Sequence, residues 1–215
     1  MRSEGIVLAR KDLRWIVAVA AIVLPATLLH AALPTEPDVS GPTSLAGQLL
    51  IAAPQLQDPP FERTVILLAR HGKEGALGIV INRPRGERPI AGLLAAMGAD
   101  AAGITGSVRI FAGGPVSPEI GFVIHSAEYR LSDTLDIDGR VALTAIPDVL
   151  RDIGVGKGPK KSLVAFGYAG WAPEQLEDEL AHGFWLTVPE DLGLVFDDDR
   201  ARVWDDALTR HKPLP

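Results

Sequence analysis

Between Gly47 and Phe196 the chain is cut into apolar runs of five to seven residues, most of them closed by Gly, Pro, Asn or Asp. Such runs read as strands rather than long helices. They fall at 47–53, 64–70, 77–82, 107–113, 120–126 and 140–145, then at 162–168, 184–188 and 192–196. Four segments carry helical periodicity instead. PIAGLLAAMG places Ile90, Leu93, Leu94 and Met97 on one side, and PDVLRDIG opens on Pro147 in a first-turn position and stops at Gly154. APEQLEDELAHG begins the same way at Pro173, and RARVWDDALTRH gathers Val203, Trp204, Ala207 and Leu208. Strands outnumber helices and cluster early as hairpins, so the pattern favours α+β over a regular βαβ alternation.

Residues 64–82 illustrate the competition between a structural and a chemical reading. A histidine beside two glycines suggests a catalytic or phosphate-binding loop. The flanking apolar runs favour a hairpin instead, with HGKEG (71–75) as its turn and Pro84 ending the pairing.

The N-terminus differs in kind. Arg2, Arg10, Lys11 and Arg14 precede an uncharged stretch, Trp15 to Leu33, and the next basic residue is Arg63. A basic flank before an apolar segment is the layout of a secretory signal or a membrane anchor, oriented with the N-terminus in the cytoplasm. Nineteen residues just suffice to span a bilayer, whereas Pro25 and the small residues near Ala31 also suit cleavage. A buried core helix is the third reading and explains neither flank. We divide the chain into 1–33, signal peptide or anchor; 34–44, a Pro/Ser/Thr/Gly linker; and 45–212, one α+β domain.

Without residues 1–33 the chain keeps 17 basic and 25 acidic side chains, net −8. Eleven of the acids lie between Trp171 and Asp206. That balance argues against a nucleic-acid partner. The chain has no cysteine, which excludes disulfides, thiolate metal sites and a thiol nucleophile.

No catalytic set is recognisable. GVGKGPKKS (154–162) has Pro159 where a phosphate loop needs glycine, and a helix before it where a strand belongs. DIDG (136–139) lacks the remaining ligands of a calcium loop and reads as a turn. FDDDR (196–200) reads as a solvated run, with Asp199 or a neighbour capping the last helix. His30, His71, His125, His182 and His211 show no metal-ligand spacing, and neither a metal nor a cofactor is expected. The Gly/Pro/aromatic cluster around Gly113, Tyr168 and Trp171 is equally a pocket wall or a cover for the core's end.

The segments LLIAAPQLQDPPFERTVILLARH, GALGIVINRP, GGPVSPEIGFVIHS and LVAFGYAGWAPEQLEDEL…FWLTVPEDLGLVFDDD, in that order over 45–206, resemble the bacterial YqgE/AlgH family. The resemblance implies an α+β fold in which a bent, barrel-like, mostly antiparallel sheet has helices packed around it. Here an N-terminal hydrophobic helix would precede it. It also implies that Asp58, Phe61, His71, Gly75, Asn82, Pro84, Gly113, Gly114, Pro115, His125, Gly167, Gln175 and Trp185 occupy family-pattern positions. It supplies no reaction. Two features depart from the family: the 44-residue leader, where members are ordinarily short at the N-terminus and cytoplasmic, and Gly183-Phe184, where the pattern has Asn and a small residue.

The expected function is a non-catalytic binding or regulatory domain, held at the inner membrane facing the periplasm or exported; the family's cytoplasmic location is the alternative. Its protein or small-molecule partner would use His71, Asn82, Arg83, Gly113, His125, Tyr168 and Trp171. Residues 15–33 would contact the membrane if uncleaved. Replacing His71 and His125 with alanine should then weaken binding at nearly unchanged stability. One rival is a hydrolase with His71 or His125 as general base, oriented by Asp58 or Glu119. A cytoplasmic transcriptional regulator is the other.

Overall fold

The computed structural model describes residues 44–211; the hydrophobic segment 15–33 and the expected linker as far as Thr43 lie outside the described residues. The described chain runs β1 (Gln48–Ala52), β2 (Val65–Gly72), β3 (Gly75–Val80), β4 (Pro84–Pro89), α1 (Ile90–Ala96), β5 (Ser107–Ala112) and β6 (Val116–Ser126). It continues with β7 (Leu135–Asp136), β8 (Val141–Ala145), α2 (Asp148–Gly154), β9 (Ser162–Trp171), α3 (Gln175–Ala181), β10 (Trp185–Pro189), α4 (Leu192–Val195) and α5 (Val203–Arg210).

The strands form one sheet in the order β10-β1-β2-β3-β9-β6-β8-β7, with β5 also on β9 and β4 on β5. Every described pairing is antiparallel except β5 with β9. The expected α+β class and mostly antiparallel, curled sheet are therefore present.

Strand β9 makes the bend. Its first half pairs with β5 at Val164–Phe166, and its last residues pair with β3 at Ala169–Trp171. The change of partner occurs at Gly167, whose φ is +77°. Here the backbones touch: a Cβ on Gly113 would stand 2.3 Å from the Gly167 carbonyl oxygen, and one on Gly114 2.1 Å from the Tyr168 carbonyl carbon. Only glycine permits that approach.

Alternation along the strands sends side chains to two faces, and each face is covered. Leu49, Leu67, Ile79 and Ile124 pack against Leu194, Val203, Trp204 and Ala207 of α4 and α5. Leu50, Ile66 and Leu68 pack on the other side against Leu56 and Phe61 of the 53–64 loop and Leu176 of α3. A third cluster joins Ile90 and Leu94 of α1 to Val149 and Leu150 of α2 over Val123 and Val164.

The 64–82 segment is a hairpin, with Gly72 opposite Gly75 and only Lys73 and Glu74 between them. Five local expectations need correction. Pro84 does not end pairing: the chain changes partner and forms β4 against β5, an exposed edge strand without apolar signal. LGLVF is not a strand, because the Asp191 side chain accepts from the Gly193 and Leu194 N–H groups and starts α4. No aspartate caps α5, which follows Arg202 without a side-chain cap. Met97 is exposed rather than on the buried side of α1, and α3 starts at Gln175 after Glu174 adopts a left-handed φ of +65°.

Candidate functional site

Where β9 passes into α3, three side chains converge on one carboxylate. Gln175 Oε1 accepts from the Ala172 N–H at 3.0 Å, which holds the strand-to-helix turn. Gln175 and Glu179 lie one helical turn apart on the same face, and Gln175 Nε2 donates to Glu179 Oε1 at 2.8 Å. The other oxygen, Oε2, accepts from two indoles, Trp171 Nε1 at 2.9 Å and Trp185 Nε1 at 2.7 Å. Trp171 ends β9 and Trp185 begins β10, so Glu179 joins distant parts of the sheet.

The indoles meet edge-on at 5.9 Å between centroids, and Phe61 meets Trp185 edge-on at 5.6 Å. These rings, with Pro115, Phe184 and Glu179, line a narrow cleft of about 20 Å³. That volume admits one water or one small side-chain tip. Asp58 lies close by: burial, and then the charge of Glu179, push its carboxyl above the usual range. Exposed Glu174, Glu177 and Asp178 add negative charge along α3.

The structure divides the seven expected contact residues. His71, Ala76 and Trp171 stand in one row across β2, β3 and β9, and His71 Nε2 lies 3.0 Å from Glu177 of α3. Tyr168 pairs with Val116, which lines the same cleft, and its ring packs edge-on against Phe122. Asn82 and Arg83 stand beside the start of β2, about 20 Å along the strand from His71. Gly113 is buried at the sheet bend.

His125 is not a surface residue. It is fully buried, with Nε2 at 2.8 Å from Thr144 Oγ1 and Nδ1 at 3.1 Å from the Ser126 carbonyl. Because that carbonyl only accepts, Nδ1 carries the proton and Nε2 accepts from the Thr144 hydroxyl. Thr134 then donates to Thr144 and accepts from the Leu131 N–H. Burial lowers the His125 pKa, so the ring is held neutral. Expecting an alanine at 125 to leave stability unchanged is therefore corrected: it would empty a packed, fully bonded site.

At His71 the Leu45 N–H donates to Nδ1 at 3.1 Å, leaving Nε2 to donate to Glu177. Both nitrogens of both rings are thus engaged, and Asp58 and Glu119 are hydrogen-bond partners of neither. Among the described residues no group of three or more His, Asp or Glu is placed to hold a metal ion. Of this cluster only Trp171 is among the seven expected contact residues; Gln175 and Trp185 stand there as family-pattern positions alone, and Glu179 is absent, although its four-residue spacing from Gln175 is a visible signal.

A family model described as AlgH-like matches residues 49–214. A UPF0301 protein of Afipia carboxidovorans is 43% identical over 186 residues, covering 83% of this chain and 89% of its own. The solution structure of the AlgH protein from Pseudomonas aeruginosa superposes with a TM-score of 0.68 at 40% identity, over 80% of this chain and 90% of that one. The crystal structure of a Corynebacterium diphtheriae protein shares the fold, with a TM-score of 0.60 at 21% identity over 79% and 87% of the two chains.

Proposed function

The chain belongs to the AlgH-like family, and we propose that it acts as a non-catalytic binding or regulatory domain whose partner docks where β9 meets α3. The observation that carries this reading is Glu179, a carboxylate fixed by two indoles and an amide at the floor of an aromatic cleft. Trp171 and Trp185 are themselves buried, so the partner meets the rim: Phe184, Pro115, Gln175 and the acids of α3. Asp58, Glu174, Glu177 and Asp178 make that rim negative, which favours a protein presenting a basic segment with one small side-chain tip for the cleft. The engaged nitrogens of His71 and His125 favour binding over hydrolysis by a histidine base.

In this proposal residues 1–33 anchor or export the domain and 34–44 are its tether, on the strength of their sequence alone. Among the described residues no helix is long and apolar enough to cross a membrane. Protease access in fractionated cells tests the location: protection until the outer boundary is opened supports it, and a cytoplasmic body contradicts it. Co-purification under native conditions tests the docking face. A Glu177→Lys/Asp178→Lys variant should lose a partner that an Arg85→Glu variant retains. Retention by both would refute the assigned face.

A further inference from the structure

At the opposite end of β2 from the aromatic cleft lies a second cavity, wide open to solvent, of about 380 Å³. Three guanidinium groups line it, from Arg63, Arg83 and Arg200, against a single carboxylate, Glu62. In a chain whose residues after 33 sum to −8, this lining concentrates basic groups. The volume lies within the range of small-molecule sites.

The arginines are held in place mainly by carbonyl oxygens and aromatic rings, with Asp205 paired to Arg63 and the charges of Asp197 and Asp198 near Arg200. Arg200 spends Nη1 on the Val195 carbonyl at 2.9 Å, with the Ile81 and Leu194 carbonyls farther off, and its plane lies over Phe111. Its Nε is enclosed and has no hydrogen-bond partner among the described residues. Arg83 donates to the Glu62 carbonyl, a neutral acceptor. Arg63 lies 3.9 Å over the Trp204 ring and pairs with Asp205 in an exposed salt bridge.

One further observation points the same way. Arg63 has a left-handed φ of +53°, a conformation that costs a non-glycine residue energy and persists only where the surroundings impose it. Asn82 imposes it: Nδ2 donates to the Arg63 carbonyl at 2.9 Å while Oδ1 accepts from the Val65 N–H at 2.9 Å. The cavity is also lined by Ala201 and Trp204 at the start of α5, where no side chain caps the free N–H groups. The positive end of that helix is already faced by Asp205 and Asp206 of its first turn, so the guanidiniums carry the anion site.

We propose that this cavity binds a small phosphate monoester, its phosphoryl oxygens taken by Arg63, Arg83 and Arg200. Asp205 on Arg63 and the charges of Asp197 and Asp198 near Arg200 offset part of the positive charge, and it is the convergence of three planar guanidinium forks that suits phosphoryl oxygens. The site is separate from the docking face on α3 and does not depend on it.

Phenyl phosphate is the probe, titrated into the full-length protein at low ionic strength, followed through the arginine Nε–H and Trp204 indole resonances. Saturable shifts at those groups are expected, with none for the cation benzamidine. Removing a guanidinium in Arg63→Gln or Arg83→Gln should weaken binding about tenfold each. Arg85→Gln, on the exposed strand β4 and outside the cavity, should bind as the parent does. Melting temperatures of all three variants establish that they fold. The proposal is overturned if the parent shows no saturation, or if folded Arg63→Gln and Arg83→Gln bind with the parent's affinity.

Discussion

Arg140, entering β8, donates through Nη2 to both the carboxylate and the main-chain oxygen of Glu190, just past the end of β10. The contact joins the two margins of the curled sheet, which no strand pairing among the described residues closes. Glu190 is buried, and its Oε1 has no partner among the described residues. Burial, aided by the nearby charge of Asp138 and opposed by Arg140, pushes its carboxyl up to about 7.

The raised value sets the sign of a pH effect. Between the ordinary carboxylate range and about 7 the folded protein holds a proton that the unfolded chain has lost. The stabilising contribution of Glu190 is therefore complete below the ordinary carboxylate range, declines as pH rises from there, and is gone above about 7. It amounts to on the order of 1–3 kcal/mol. Melting profiles of the parent and Glu190→Gln, measured across this range, should differ by a slope that the variant lacks. Parallel profiles would contradict the assignment.

His125 acts in the opposite sense. Its pKa is lowered by burial, so acid favours the unfolded chain, which protonates more readily. Stability should fall as pH drops through the ordinary imidazole range. Thr144→Val would leave His125 Nε2 and Thr134 without their shared hydroxyl, at a cost of about 1–3 kcal/mol. Chemical denaturation measures that cost directly; an unchanged midpoint would remove the buried network as a source of stability.

Glu179→Ala should orphan two indole N–H groups, at about 1–3 kcal/mol for each donor, whereas Glu179→Gln keeps an acceptor oxygen and should lose less. The indole proton resonances of Trp171 and Trp185 should move in both variants. If alanine and glutamine cost the same, the hydrogen bonds to the indoles are not what holds the cleft.

Asn82→Ala should release the Arg63 carbonyl and the Val65 N–H together, lowering stability by about 1–3 kcal/mol. Asn82→Asp keeps the acceptor for Val65 but loses the donor for Arg63, and should fall between. Urea midpoints of the three proteins rank them; a stable alanine variant would mean that the Arg63 conformation is fixed elsewhere.

Most strands were legible because their sequences concentrate apolar residues in short runs, as VILLA of β2 and LVAF of β9 do. Strand β4, PRGERP, carries no such signal: it is an exposed edge defined by backbone pairing with β5. The LGLVF run has strand composition, and the Asp191 cap outweighed it over four residues. At the candidate site, the pairing of Gln175 with Glu179 is local and readable from spacing. Its meeting with Trp171 and Trp185 is not, since that depends on where β9 and β10 lie in the finished sheet. His125 looked available because one polar residue in an apolar strand has two possible faces. Thr144, which shares its buried face, comes from the neighbouring strand β8.

The central claim is that the face over Glu179 meets a partner. The most direct measurement places a photo-reactive amino acid at Pro173, on the rim beside α3, and at Arg85, on the remote exposed strand, in cells expressing the full chain. The account predicts a discrete cross-linked adduct from position 173, absent from position 85 and lost when Glu177 and Asp178 are changed to lysine. Equal adducts from both positions, or none from position 173, would contradict it.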